Sequence, residues 1–162
     1  MTAYKIELKE LNRSHIPHFY KWWNDNELRR LTSGQFEPMP DEEIDKVLNE
    51  HISNPDRYDF ILLADKKPIG HIAIFKPKKK TTFQIYIAIG EKDYWNRGIG
   101  TIAMKQALSW FFSYFPSEKE IELEVNIDNP RAIKCYEKVG FIKIKKKTYK
   151  KHPDTFLMKY KF

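Results

Sequence analysis

Residues 93–103 read DYWNRGIGTIA, Asp93 to Ala103, with Gly98 and Gly100 one residue apart at the head of a run of helical period. Glycine lets backbone approach a ligand closely, and the first N–H groups of a helix have no partner inside it, so the stretch suits an anion such as a phosphate. Which phosphate-binding design it belongs to decides the fold. A nucleotide-hydrolysing P-loop places a lysine and a hydroxyl after its last glycine, whereas Gly100 is followed by Thr101 and Ile102. The dinucleotide fingerprint G-x-G-x-x-G/A fits Gly98 to Ala103 formally, and Glu122 or Glu124 stands about 20 residues on, where a ribose-binding acid belongs. Spacing argues against it. Gly90 to Arg97 separates the glycines from the preceding strand, and one strand-helix-strand unit follows where that fold needs several.

Outward from the loop, Ile99, Ile102, Ala103, Ala107, Trp110, Phe111 and Tyr114 recur at three and four and predict a long helix ending before Pro116. The alternating "EIELEV" that follows predicts a strand. Asn129 then reads as a cap, Pro130 as a first helical residue and Gly140 as a positive-φ stop, which sets a helix over Arg131 to Val139. Strands over Phe141 to Tyr149 and Thr155 to Tyr160 close the chain around the turn "KKHPD". Upstream, "YKIELKEL" (Tyr4 to Leu11) alternates as a strand; Ser14 reads as the cap of a short aromatic helix through Trp22 and Trp23, and Asp25 as the cap of a second. After a breaker run from Gly34 to Pro40, Asp41 to His51 carries first-turn acids and apolar residues at helical spacing. "YDFILLADKKPIGHIAIF" and "KPKKKTTFQIYIAIG" read as an antiparallel meander. The order is strand, two or three helices, three strands, helix, strand, helix, two strands. It implies an α/β (α+β) fold: a mixed, mostly antiparallel sheet with helices on both faces.

The 162 residues read as a single domain without linker or repeat, and 41% hydrophobic with 15% aromatic residues is the composition of a folded chain. A formal charge of +7 favours anionic partners, whether nucleic acid, acidic protein or a polyphosphate cofactor. Cys135 is the one cysteine, no apolar run approaches membrane-spanning length, and the start lacks a signal-peptide core, so the expectation is a cytoplasmic protein without disulfides or membrane contact. The five histidines form no metal-spaced set, and no metal is expected.

Read with the loop, "VNIDNPRAIKCYEKVGF" (Val125 to Phe141) resembles the GCN5-related N-acetyltransferase superfamily, and "IAIGEKDYWNRGIGT" looks most like its RimJ/RimL-type branch. The resemblance implies a GNAT-like sheet of about six to seven strands. It implies acetyl transfer from acetyl-CoA to a primary amine, a small molecule or a protein N-terminus, by direct attack. Asn96, Arg97, Gly98, Ile99, Gly100 and Thr101 would wrap the pyrophosphate; Trp95 stands where Gln or Arg is usual. The family's Asn-x-x-Ala-x-x-x-Tyr-x-x-x-Gly-Phe pattern falls on Asn129, Ala132, Tyr136, Gly140 and Phe141. Ile87 and Ile89 would offer backbone groups to the pantetheine, with the Ile87 N–H polarising the thioester carbonyl; their side chains read as core. Tyr136 would protonate the leaving thiolate, against the plainer reading of a core tyrosine. Asn126 and Asn129 are turn and cap residues or pantetheine ligands, and Cys135 reads as a structural thiol.

Gln84 stands where many relatives carry a glutamate base and takes up no proton at neutral pH. Trp22, Asp25 and Glu27 are candidate acceptor-binding residues; equally, they read as core, N-cap and first-turn acid. The lysine runs Lys76 to Lys80 and Lys143 to Lys151 read as solvated hairpin turns or as steering charge for the ribosome or an acidic protein. They keep open a second class of function, a non-catalytic module on the same fold binding acyl-CoA, RNA or acidic protein. The sequence sets no oligomeric state.

Overall fold

A computed structural model describes residues 3–32 and 37–162, so residues 34–36 of the breaker run fall outside the described chain. The elements are β1 (Ile6–Glu10), α1 (Ile16–Trp22), α2 (Asn26–Thr32), α3 (Asp41–Ser53), β2 (Arg57–Ala64), β3 (Lys67–Phe75), β4 (Gln84–Ile89), α4 (Ile99–Tyr114), β5 (Glu120–Asn126), α5 (Pro130–Val139), β6 (Ile142–Lys147) and β7 (Thr155–Lys161). Seven strands form one sheet in the order β1-β2-β3-β4-β5-β7-β6. Every neighbouring pair is antiparallel except β4 with β5.

Successive strand residues face opposite sides, and β2 sorts its side chains accordingly. Leu62 and Ala64 join the core beneath α4 and α5, while Ile61 and Leu63 pack with Phe19, Trp22, Ile44 and Leu48 of α1 and α3 on the other face. Asp65 and Lys66 both take positive φ (48° and 68°) between β2 and β3, the conformation of a tight two-residue hairpin.

Asp25 caps α2 as its position predicts, accepting from the backbone N–H groups of Glu27 and Leu28 at 3.1 and 3.0 Å. The cap before α1 is different from the one expected. Asn12, not Ser14, accepts from the chain: its side-chain oxygen takes the Ser14 N–H at 3.0 Å and starts a single 3-10 turn, Arg13–His15, that runs into the helix. Asn and Ser cap comparably well, so position in the extended segment before the turn decided between them. Asn129 accepts from Ala132 N–H at 3.2 Å, and Gly140 closes α5 at φ 121°.

Candidate active site

The site begins where the sheet comes apart. β4 and β5 share one rung, Gln84 opposite Glu122, with the Glu122 N–H donating to the Phe83 carbonyl at 3.0 Å. Peptide groups alternate sides along a strand, so Ile85, Ile87 and Ile89 turn theirs the same way as Phe83, toward β5. Beyond the rung the strands diverge, and the Ile87 N–H and carbonyl and the Ile89 N–H face the gap instead of a ladder. The Ile89 carbonyl is taken at 2.8 Å by the indole N–H of Trp95. That bond gives Trp95 a structural role: it closes the outer end of the exposed edge.

The loop after β4 curls at the mouth of this fork. Asn96 (φ 59°) and Gly98 (φ 75°) both lie in the left-handed region, either side of Arg97. Alternating right- and left-handed residues turn successive N–H groups inward, making a concavity suited to anions at the start of α4. A Cβ on Gly98 would meet nothing within 4 Å, so glycine is required there for its dihedral and not for space. At Gly100 it is space that is tight: a Cβ there would lie 3.2 Å from the Cys135 sulfur of α5, which would have to give way.

Loop and fork open into one cavity of about 590 Å³. Its wall includes Ile87, Ile89, Asn96, Arg97, Gly98, Ile99, Gly100, Thr101, Asn126, Asn129 and Tyr136, so the structure gathers all the expected cofactor residues around a single space. It adds residues that sequence reasoning passed over. Arg131, Lys134 and Lys138 line the same wall, and the Arg131 guanidinium lies 3.6 Å from the centroid of the Trp95 ring. Their spacing of three and four along α5 was the available signal: a basic stripe on one face of a short helix. A strip of cations opposite an anion-binding loop fits a polyphosphate.

Tyr136 is buried, and burial, reinforced by Cys135 and Tyr86, holds its phenol well above its ordinary value, so the proton stays on oxygen throughout the physiological range. Cys135 does not point away from the cavity, as adjacency to Tyr136 suggests, but joins its wall with its sulfur 3.5 Å from the Thr101 hydroxyl. Burial pushes its thiol up, with Thr101 and Lys138 opposing. The buried Asn126 amide donates to the Arg30 and Leu31 carbonyls at 3.1 and 3.0 Å, tying β5 to the end of α2 and leaving its oxygen as an acceptor.

A second chamber of about 370 Å³ lies on the α1–α3 face of β3 and β4 and meets the first cavity along Leu28, Thr32, Tyr86 and Ala88. Phe19, Trp22, Trp23, Met39 and Phe75 make it largely apolar. Trp22 therefore walls it as well as filling the core, its indole N–H donating to Glu91 at 2.9 Å. Asp25 and Glu27 line neither space: both carboxylates hold Lys92 Nζ, at 2.8 and 3.1 Å. Burial alone would raise the Asp25 carboxyl, but Lys92 and the α2 backbone outweigh it and keep it below its usual range. Gln84 also lines neither space, because it forms the single rung at the base of the fork.

A family model described as an acetyltransferase (GNAT) domain matches residues 5–142. The chain is a GNAT domain. It is 27% identical over 154 residues to aminoglycoside N(6')-acetyltransferase type 1 of Klebsiella pneumoniae, covering 81% of this chain and 65% of that protein. The chain thus spans just under two thirds of the length of that relative. Spermidine N(1)-acetyltransferase of Vibrio cholerae is 27% identical over 144 residues, covering 85% of this chain and 79% of the relative. The crystal structure of the Vibrio cholerae spermidine N-acetyltransferase with CoA and spermine superposes with a TM-score of 0.82 at 20% identity, over 96% of this chain and 95% of that one. That likeness shows the fold.

Half of the lysines in the two runs of this GNAT domain are ion-paired, while Lys78, Lys79, Lys145, Lys150 and Lys151 are exposed. Lys76 holds Glu118, Lys80 and Lys147 hold Glu124, Lys143 holds Glu137 and Lys146 holds Asp154. Among the described residues no helix is long and apolar enough to cross a membrane, and no group of three or more side chains is placed to hold a metal.

Proposed function

We propose that this GNAT domain transfers the acetyl group of acetyl-CoA to a primary amine by direct attack. The observation that carries the reading is the fork beyond the Gln84–Glu122 rung, with its free Ile87 peptide group between an anion-binding loop and Tyr136. The residues present fit the co-substrate. The loop Asn96–Thr101 with Arg131, Lys134 and Lys138 meets its phosphates, the gap between β4 and β5 accepts its extended arm as a missing strand would be accepted, and the Ile87 N–H polarises the thioester carbonyl. Tyr136, held protonated, gives its proton to the departing sulfur. The aromatic chamber receives the amine and joins the fork at Tyr86 and Ala88, where attack takes place.

The acceptor we assign is a small amine with an apolar body. Relatives named for aminoglycosides and spermidine, each 27% identical, support a small molecule ahead of a protein, although one named for alpha/beta-tubulin N-acetylation matches at 23%. The chamber, however, has no carboxylate among its described lining residues, and the one behind its wall, Asp59 beneath His71, is already held by Arg57, so a polycation finds little counter-charge there. A thiol-release screen over monoamines, polyamines, aminoglycosides and amino-terminal peptides tests both statements. Turnover confined to polycations overturns the acceptor class; no thiol release with any amine, together with calorimetric binding of NAD and none of acetyl-CoA, overturns the transferase.

A further inference from the structure

The proposed reaction needs a group to take a proton from the ammonium that most amines are at neutral pH, and Gln84 is neither basic nor in the wall. We propose that His71, oriented by Asp59, is that base; the inference rests on the acetyl-transfer reading and names the residue that starts it. His71 stands on β3 directly opposite Ala88 of β4, one residue along from the Ile87 peptide, and lines the aromatic chamber. It is 3% exposed, and its Nε2 lies 2.7 Å from the Asp59 carboxylate on β2. Asp59 is held in turn by Arg57, whose Nε and Nη2 donate to it at 2.6 and 3.0 Å.

The polar bookkeeping of this cluster is what points to proton transfer. Asp59 is a carboxylate clamped by a guanidinium, so it accepts, and the imidazole must carry its hydrogen on Nε2. The lone pair then sits on Nδ1, which is buried and has no hydrogen-bond partner among the described residues. Nδ1 is closed off from solvent in this state, and a buried acceptor without a partner costs stability until a donor reaches it. An ammonium group fills it, and the carboxylate behind the ring stabilises the imidazolium that results, the same logic by which an acid orients a catalytic histidine elsewhere.

The step balances. The ammonium gives one proton to His71 Nδ1, and the freed lone pair forms the C–N bond as the C–S bond breaks. Tyr136 gives its hydroxyl proton to sulfur and recovers one from the nitrogen. The products are the amide, the CoA thiol and an imidazolium that returns its proton to solvent.

The charged and titratable groups around the ring are Asp59 and Arg57 from β2, His51 from α3, Tyr86 from β4 and Arg29 from α2. Phenethylamine, a primary amine with an apolar body, serves as the probe. With His71 as base the enzyme uses the ammonium, so wild-type kcat/KM reaches a plateau instead of following the amine's own titration. His71→Gln, which keeps a donor for Asp59, is expected to be about 10²-fold slower at pH 7. Its rate should climb with pH toward the titration of the amine, while acetyl-CoA affinity by calorimetry is unchanged. A wild-type profile that itself climbs to the amine's titration overturns the proposal whether or not the variant folds, as does a variant that keeps the plateau. Absence of thiol release from the wild type counts against the transferase reading instead.

Discussion

Gly90 lies directly under the indole of Trp22: a methyl group on its Cα would fall 2.3 Å from the ring atoms. The end of β4 and the end of α1 are therefore in contact through a ring laid on bare backbone, at a residue that also lines the aromatic chamber. Gly90→Ala must move the indole, break its bond to Glu91 and reshape that wall. A loss of about 1–3 kcal/mol of stability is expected, read from urea unfolding, with acetyl-CoA affinity largely kept because the other cavity is untouched.

Gly98 makes the complementary case, since space is free and the dihedral is not. At φ 75°, Gly98→Ala should cost roughly 1–2 kcal/mol as the loop either strains or relaxes. Relaxation loosens the anion-binding concavity, and calorimetry should show weaker acetyl-CoA binding alongside a lower melting temperature.

Arg131 offers a test of charge. Arg131→Ala removes both the cation above Trp95 and a positive group from the cofactor wall. Acetyl-CoA should bind about tenfold more weakly, a change on the order of 1.4 kcal/mol, and the loss should shrink at high salt as the remaining attraction is screened. An unchanged affinity at low salt would remove Arg131 from the site.

Tyr136→Phe deletes a hydroxyl and little volume. Turnover of any accepted amine should fall by about 10²-fold while acetyl-CoA affinity moves little. A variant as fast as wild type would show that sulfur leaves without this proton.

His51 sets an acid limit on stability. Burial, with Arg57 adding to it, lowers its pKa from 6.5 to about 4 in the folded protein. The unfolded chain therefore takes up a proton first as the pH falls. Above 6.5 the histidine is neutral in both states and its contribution is complete; between 6.5 and about 4 it is lost, at up to ~1.4 kcal/mol per pH unit. Asp59 acts lower down: burial would raise it, His71 and Arg57 prevail, and its contribution fades only below its ordinary 3.8. Melting temperature against pH should fall across the first window, and His51→Gln should flatten that fall.

The elements and the cofactor loop were legible because their signals are local. Gly98, Asn129, Pro130 and Gly140 act on their own turns, and Ile99 to Tyr114 repeats along one helix. The acceptor side was not, because its partners are brought together by the sheet. Asp59 and His71 meet only through the β2–β3 register, in which Ile61 faces His71, and β3 by itself reads as a core strand. Asp25 and Glu27 look like bait for a cation until Lys92 arrives from the loop after β4. Gln84 sits at the start of the right strand, yet the point where β4 leaves β5 is set by pairing across the gap, which no run of residues within β4 encodes.

One rung between β4 and β5 also makes the sheet two panels, β1–β4 and β5–β7–β6, hinged near Gln84 and Glu122. A molecule lodged in the opening supplies the rungs that are lacking and so rivets the panels together. Cofactor should thus slow amide exchange along Ile87 and Ile89, beside the opening, far more than in β1 or β6, and the free protein should breathe at that seam.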